Sequence, residues 1–493
     1  MGFLLYIGLI LYSLSAMWLA VFTTSFGVLL FIYMRKRRTV PILPEVNATA
    51  LPAVTIQLPI YNEVSVVTRL IDACMKLDYP ADKLHIQILD DSTDETSEQI
   101  EVRIAEWRLK STVKIEHIQR IDRQGYKAGA LAYGMMLVQT PYVAIFDADF
   151  IPSEDFLQKT MPYFVDDSGL GLVQTRWGHL NESYNWLTRA QALSIDGHFA
   201  IEQVARNRGN LPMSMNGTGG IWRVVAIDDA GGWSDKTLTE DLDLSYRALM
   251  KGWHFLYLVD IAVPGELPVQ VQAYKLQQAR WATGSTECLI QHVPALMRTD
   301  TLTWGKKLMG VMHLSQYAVQ PLILLLFLLT PILLITDMFA QVPDLRFLAI
   351  IGIIPPFVIA LAQYELHADW RKRLLYFPVQ FMVAAAIVLN NSYAVLQAVV
   401  NQYETGQKAE FKRTPKFSVQ TQGQIWTTSR YALKADWLTI GEFLLGLYAL
   451  WGVFVALDHF PALVPYMGSY AISLIVFALW NWIESAQVNR DLS

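Results

Sequence analysis

The chain has 493 residues, of which 53% are hydrophobic, with a mean hydropathy of +0.28 and a formal net charge of −5. That length exceeds one ordinary domain, and that apolar excess is unusual for a soluble enzyme. The charge supplies no basic field for nucleic acid, and Cys74 and Cys288 lie too far apart in the sequence for a CxxC metal motif or a readable disulfide framework.

Leu4 to Tyr33 carries no charged residue, and about 20 apolar residues suffice to cross a bilayer. Arg35-Lys36-Arg37-Arg38 follows directly. A cleavable signal peptide would place its positive charge before the apolar run. The reversed order instead predicts an anchor with the N-terminus outside and the following residues in the cytosol. Residues 1–38 are therefore expected to be a membrane helix with a basic stop, 39–300 a cytosolic domain and 301–493 a membrane region.

Within the second segment, Ala53–Ile60, His85–Asp90, Val113–Ile118 and Tyr142–Asp147 are short β-branched runs, with helical stretches such as Thr96–Leu109 and Ala128–Val138 between them. Strands alternating with helices imply a mostly parallel sheet. Such sheets bind ligands beyond the carboxyl ends of their strands, and Asp90, Asp91, Asp147 and Asp149 all fall there.

After Thr301 the chain turns apolar. Thr303–Tyr317 mixes Lys306, Lys307 and His313 with Leu308, Met309 and Val311, which suits a helix lying in the interface. Spans are expected near 318–335, 347–362, 437–457 and 466–482, making five with the first. Residues 374–400 contain Asn390, Asn391 and Gln397, and counting them as a span would place Lys412, Arg413 and Lys416 outside, so they are expected to be interfacial or re-entrant. The last span is expected to end close to the C-terminus, with no regulatory domain after it.

Several clusters carry candidate chemistry. Asp147-Ala148-Asp149 ends a strand, where a turn lets both carboxylates reach one hard cation, Mg2+ or Mn2+, with positions left for substrate phosphates. Such an ion neutralises charge on a departing diphosphate; a solvated turn is the plainer alternative. Asp90-Asp91-Ser92-Thr93-Asp94 precedes a helix that residues 92–94 could cap unaided, so the adjacent acids point to a ligand role for Asp91. Glu240 and Asp241 either cap a helix or supply a general base.

Asn216-Gly217-Thr218-Gly219-Gly220 lacks the ending of a P-loop and suits close backbone approach to a ligand. Lys127 sits at a helix start, where a phosphate is favoured, with a solvated lysine as the alternative. In Gln277-Gln278-Ala279-Arg280-Trp281 the Arg–Trp pair is either an interface anchor or a phosphate grip beside a sugar-stacking indole.

Taken jointly, Asp90-Asp91-Ser92, Asp147-Ala-Asp149, Thr239-Glu-Asp241 and Gln277-x-x-Arg280-Trp281 appear in the order and spacing of membrane-bound family 2 glycosyltransferases, and the pattern resembles cellulose and hyaluronan synthases. Gly125–Leu131, Val173–Trp177, Asn216–Arg223 and Gln277-Gln278 most resemble the cellulose-synthase-like A and C proteins, which make β-1,4-mannan or glucomannan and the glucan backbone of xyloglucan. The resemblance covers about residues 50–320 strongly and the flanking spans loosely.

It implies a GT-A fold, an α/β domain with a mostly parallel sheet set between transmembrane helices, and inverting, processive transfer from UDP-glucose or GDP-mannose to a glycan 4-hydroxyl at the plasma membrane. Position by position, it implies that Tyr61, Glu63 and Asp91 contact the nucleoside and that Asp147 and Asp149 hold Mg2+ or Mn2+ and the diphosphate. Lys127 belongs with this donor site on the phosphate reading. Asp241 is the implied base with Glu240 beside it, Arg280 the diphosphate ligand, and Trp281 the acceptor platform with Gln277, Gly217 and Thr218 bordering it. The basic stretch Phe411–Phe417, within 404–420, sits where cellulose synthases carry a gating loop, although its sequence departs from theirs. The rivals are a single transfer to a lipid such as ceramide or diacylglycerol and, more remotely, a nucleotide-sensing channel or transporter.

Overall fold

The structure is a computed structural model and describes residues 2–165, 167–342, 351–405 and 411–492. Its centre is a seven-stranded sheet in the order β3-β2-β1-β4-β6-β5-β7. The strands are β1 (Val54–Ile60), β2 (Leu84–Asp90), β3 (Lys114–Gln119), β4 (Tyr142–Ile145), β5 (Leu170–His179), β6 (Gly220–Arg223) and β7 (His254–Gly265). The first four match the sequence expectation to within one or two residues. β1, β2 and β4 are covered on both faces, so they are near-continuous apolar runs rather than alternating ones.

β1 pairs in parallel with β2 and β4, and β2 with β3. β6 runs antiparallel to both β4 and β5, while β5 and β7 are parallel. Because β6 is reversed, its first residue, Gly220, lies opposite Ile145 at the end of β4. That reversal brings the glycine loop 216–219 to the edge where the other strands deliver their carboxylates. Two apolar layers flank the sheet, one around Ile56, Leu70 and Phe156 and the other around Val143, Trp222 and Leu244.

Among the described residues four helices are long and apolar enough to cross a membrane: Phe3–Lys36, Trp370–Tyr403, Leu438–His459 and Pro461–Asp491. Leu4, Leu14, Val21 and Phe31 of the first are exposed to the surroundings, as lipid-facing side chains are. The expected spans at 318–335 and 347–362 correspond to the shorter apolar helices Gln320–Ile335 and Ile354–Leu366; residues 347–350 lie outside the described residues. The segment 374–400, expected to be interfacial or re-entrant, lies within the apolar helical run Trp370–Tyr403, which has spanning length. Two of its polar residues turn inward, since the Asn390 amide donates to the Lys275 carbonyl at 3.0 Å and Asn391 is buried, whereas Gln397 is exposed. The expected interfacial segment 303–317 contains the helix Trp304–Leu314.

Candidate active site

One cleft opens along the edge formed by the ends of β1, β2, β4, β5 and β7, and it is lined by Tyr61, Glu63, Asp91, Lys127, Asp147 and Asp149 on one side. Gly217, Glu240, Asp241, Gln277, Arg280 and Trp281 complete it. Two residues singled out from sequence, Asp90 and Thr218, do not line it; Thr218 is turned away from the acceptor side expected of it. It is fully buried beneath the Asp147 turn, where its hydroxyl accepts from the Asp147 backbone N–H at 3.0 Å. Its short polar side chain braces the acidic turn from behind, and the loop presents Gly217 to the cleft instead.

The heart of the cleft is a buried lysine among carboxylates. Lys127 Nζ lies 2.7 Å from Asp147 Oδ1 and 3.2 Å from Glu240 Oε1, and it donates to the Gly217 carbonyl at 2.9 Å. Burial works against its ammonium, but Asp147 and Glu240 outweigh that and hold its pKa above the usual value. Burial also raises the Asp147 carboxyl despite the pull of Lys127. Asp241 is pushed up to about 7, chiefly by burial and then by the charge of Glu240. Among the described residues it makes no ion pair, and it accepts only the Leu242 backbone N–H, at 2.9 Å. A carboxylate kept near neutrality with a free oxygen facing a cleft is suited to taking a proton.

The adjacent acids Asp90 and Asp91 divide their tasks. Asp90 is buried and accepts from Ser92, Ser97 and His117; burial alone would raise its carboxyl, but these hydrogen bonds hold it well below the usual range. Asp91 lines the cleft and is gripped by both ends of the Arg120 guanidinium. Beside it the Arg123 guanidinium stacks 3.4 Å from the Tyr61 ring centre. Glu63 forms a 2.7 Å ion pair with Arg413, at an angle short of a hydrogen bond, and burial pushes its carboxyl up to about 7.

At the opposite end stands the helix Val271–Arg298. Among the described residues Arg280 makes no ion pair, and its Nε is buried without a hydrogen-bond partner. Its guanidinium lies over the Phe411 ring at 5.1 Å. An unpaired cation facing a cleft can take an anionic ligand without breaking an existing bond. Trp281 packs 6.3 Å from Trp177. Gln277, Trp281 and Asp241 line both this cleft and a second cavity, which continues past Phe199 and Tyr274 to Gln320 and Asn391 of the membrane helices.

The stretch from Phe411 lies across the cleft; residues 406–410 of the expected gating loop are outside the described residues. Lys416 Nζ lies 2.6 Å from Asp149 Oδ2 and 2.9 Å from the Glu266 carbonyl. Glu266 in turn accepts the backbone N–H groups of Phe417 and Ser418. Arg123, Arg413, Lys416, Glu266, Trp177 and His179 also line the cleft, yet none was singled out individually from sequence. Trp177 lay inside a quoted motif, and Arg413 and Lys416 inside the expected gating loop. Nothing in the local pattern announced Glu266 or His179.

Comparison with known proteins agrees with this geometry. Residues 52–284 match the family described as Glycosyltransferase like family 2, and residues 227–484 match the Cellulose synthase family. Glucomannan 4-beta-mannosyltransferase 1 of Oryza sativa subsp. japonica is 40% identical over 306 residues, 61% of this chain and 58% of that protein. Glucomannan 4-beta-mannosyltransferase 2 of Arabidopsis thaliana is 41% identical over 267 residues, 53% of this chain and 50% of its own. The chain thus spans about half the length of these curated relatives. Among solved structures, a mannosyltransferase from Pyrobaculum calidifontis in complex with GDP-Man and Mn2+ covers 80% of this chain and 99% of its own, at 19% identity and a TM-score of 0.49.

Proposed function

The chain belongs to the cellulose synthase family, and from that premise we propose that it is an inverting β-1,4-hexosyltransferase extending a mannan or glucomannan from GDP-mannose. The observation that carries this reading is the meeting, in one cleft, of an unpaired base candidate and an unpaired arginine. Asp241 lines both cavities, and among the described residues neither it nor Arg280 makes an ion pair. The choice of mannose over glucose rests on the relatives named glucomannan 4-beta-mannosyltransferases.

In this reading Tyr61, Glu63 and Asp91 hold the nucleoside, and Arg280 and Lys127 hold the diphosphate. Asp241 takes the proton of the acceptor 4-hydroxyl, which attacks the anomeric carbon on the face opposite the leaving group. Glu240 keeps the Asp241 carboxyl high by its charge, and Trp281 with Gln277 and Gly217 borders the acceptor. Electrostatic stabilisation of the departing diphosphate is the largest contribution expected of such a site.

Asp147 and Asp149 fit a divalent cation. Both are hard oxygen donors, and each already holds a cation in the form of a lysine ammonium, Lys127 and Lys416. Among the described residues no cluster of three or more His, Cys, Asp or Glu forms a complete cage, so the remaining positions fall to diphosphate and water, as Mg2+ or Mn2+ prefers. Such an ion, when bound, neutralises charge on the diphosphate.

The second cavity supports processive synthesis, because it leads from Asp241 and Trp281 into the membrane helices. The apolar helices make the chain an integral membrane protein, and the basic run Arg35–Arg38 supports a cytosolic catalytic segment over 39–300 with the N-terminus outside. Purified protein incubated with labelled GDP-mannose or UDP-glucose and Mg2+ or Mn2+ tests the reading. A polymer that resists organic extraction and is cut by an endo-β-1,4-mannanase supports it. An extractable glycolipid favours single transfer to lipid, and no release of nucleoside diphosphate from either donor refutes both.

A further inference from the structure

We propose that His179 is a ligand of the donor sugar, with its Nδ1 accepting a hydrogen bond from a hexose hydroxyl; this rests on the transferase reading above. His179 closes β5 opposite Gly265 of β7 and lines the cleft that holds Asp147 and Arg280. It does not line the cavity that leads to the membrane helices, whereas Trp177 and Trp281 line both. That placement assigns it to the nucleotide-borne sugar rather than to the acceptor.

Its side chain is 5% exposed and Nδ1 is buried without a partner. A buried polar atom left unpaired is uncommon and costs free energy unless a ligand satisfies it. The other ring nitrogen is committed: Nε2 lies 2.9 Å from Asp196 Oδ1. Asp196 is fixed from the other side by His367 at 2.9 Å, Gln363 at 3.1 Å and Arg373 at 3.4 Å. Burial alone would raise the Asp196 carboxyl, but His179 and His367 hold it well below the usual range. The Asp196 carboxylate accepts a hydrogen bond from Nε2–H, and the tautomer so fixed leaves Nδ1 able to accept one.

Trp177, two residues earlier on the same face of β5, adds an independent sign. Its indole N–H is also buried without a partner. Two residues that line this wall of the cleft, two positions apart on β5, thus carry one orphan acceptor and one orphan donor, the complement of sugar hydroxyls rather than of a phosphate.

The test titrates the full chain in detergent, with Mn2+, against GDP-mannose and GDP and against UDP-glucose and UDP. His179→Gln keeps a donor for Asp196 but has no acceptor at the δ position. It should weaken the sugar nucleotide bound by the wild type by about tenfold, the loss of one hydrogen bond to a neutral group, and leave the matching nucleoside diphosphate unchanged. His179→Asn places an amide oxygen near the δ position and should recover most of that loss. Equal weakening of sugar nucleotide and nucleoside diphosphate, rescue by Gln rather than Asn, or no change in any variant overturns the proposal. A wild-type chain that binds nucleoside diphosphates but neither donor sinks the transferase reading itself, an outcome the variants cannot mimic.

Discussion

The ammonium of Lys416 lies 2.6 Å from Oδ2 of Asp149, joining two residues 267 positions apart at the acidic end of the cleft. A cation of the chain thus stands against a carboxylate assigned to a divalent metal. Lys416→Met should let Mn2+ bind the nucleotide-free protein about fivefold more tightly, the worth of one partly buried competing charge of about 1 kcal/mol. Titration followed by electron paramagnetic resonance of free Mn2+ reads this directly, and unchanged or weaker binding counts against Asp149 as a ligand.

Asp241 is pushed up to about 7 by burial and by Glu240. A base must be deprotonated to work, so transfer should rise with pH through about 7 and fall on the acid side. Asp241→Asn should lower turnover by about a hundredfold or more while leaving donor affinity within about twofold. Initial rates across the pH range, with donor binding measured in parallel, check both statements; an Asn variant that still transfers removes the base assignment.

Gly217 has φ +79°, and a Cβ there would stand 3.5 Å from Asp241 Oδ2 and from Lys127 Nζ. Those are ordinary contacts, so alanine fits but occupies room beside the base. Gly217→Ala is expected to cost about 1–2 kcal/mol from the left-handed backbone and to reduce turnover at least tenfold. Thermal unfolding compared with initial rates separates the two effects. A variant destabilised as expected but fully active would show that the space beside Asp241 is not used.

Trp281 stands between the cleft and the second cavity. Trp281→Ala should lower kcat/KM for acceptor by about tenfold, with Trp281→Phe retaining part of the stacking, and both should leave donor binding unchanged. Product-length analysis on gels gives a second readout, since a weakened platform releases chains early.

Lys275 has no exposed side-chain surface and pairs with Glu442 at 2.9 Å and with Asp436 at 3.0 Å. Removing one partner of a buried pair strands the other, so Lys275→Ala should cost about 3–5 kcal/mol. Pairing Lys275→Met with Glu442→Gln should recover part of that loss. Thermal unfolding in detergent measures both variants.

The first four strands and the acids at their ends were legible because buried parallel strands are short β-branched runs and their termini are polar. Asp147, Asp241 and Arg280 were singled out by the joint order and spacing of their motifs, and all three line the cleft. What could not be read depends on contacts between distant segments. The reversed strand β6, which carries the glycine loop to Asp147, is only four residues long. Thr218 was expected to face a sugar, but its hydroxyl serves the Asp147 backbone, a choice set by loop geometry rather than residue type. That Asn390 and Asn391 are buried against protein was not legible, because the sequence does not reveal which face of a helix meets protein. The closure by Arg413 and Lys416, and the His179–Asp196 pair, join segments whose approach only the folded chain defines.

The helix Val271–Arg298 is tied near its start to Leu438–His459 through Lys275 and Glu442, and further along it packs on Glu240–Met250. Gln277, Arg280 and Trp281 stand between these two attachments. Both attachments therefore fix where Gln277, Arg280 and Trp281 stand relative to Asp241 on one side and to the apolar helices on the other. If the chain extends a glycan as proposed, the parts left free to move during a cycle are the glycan and the segment that Lys416 ties to Asp149.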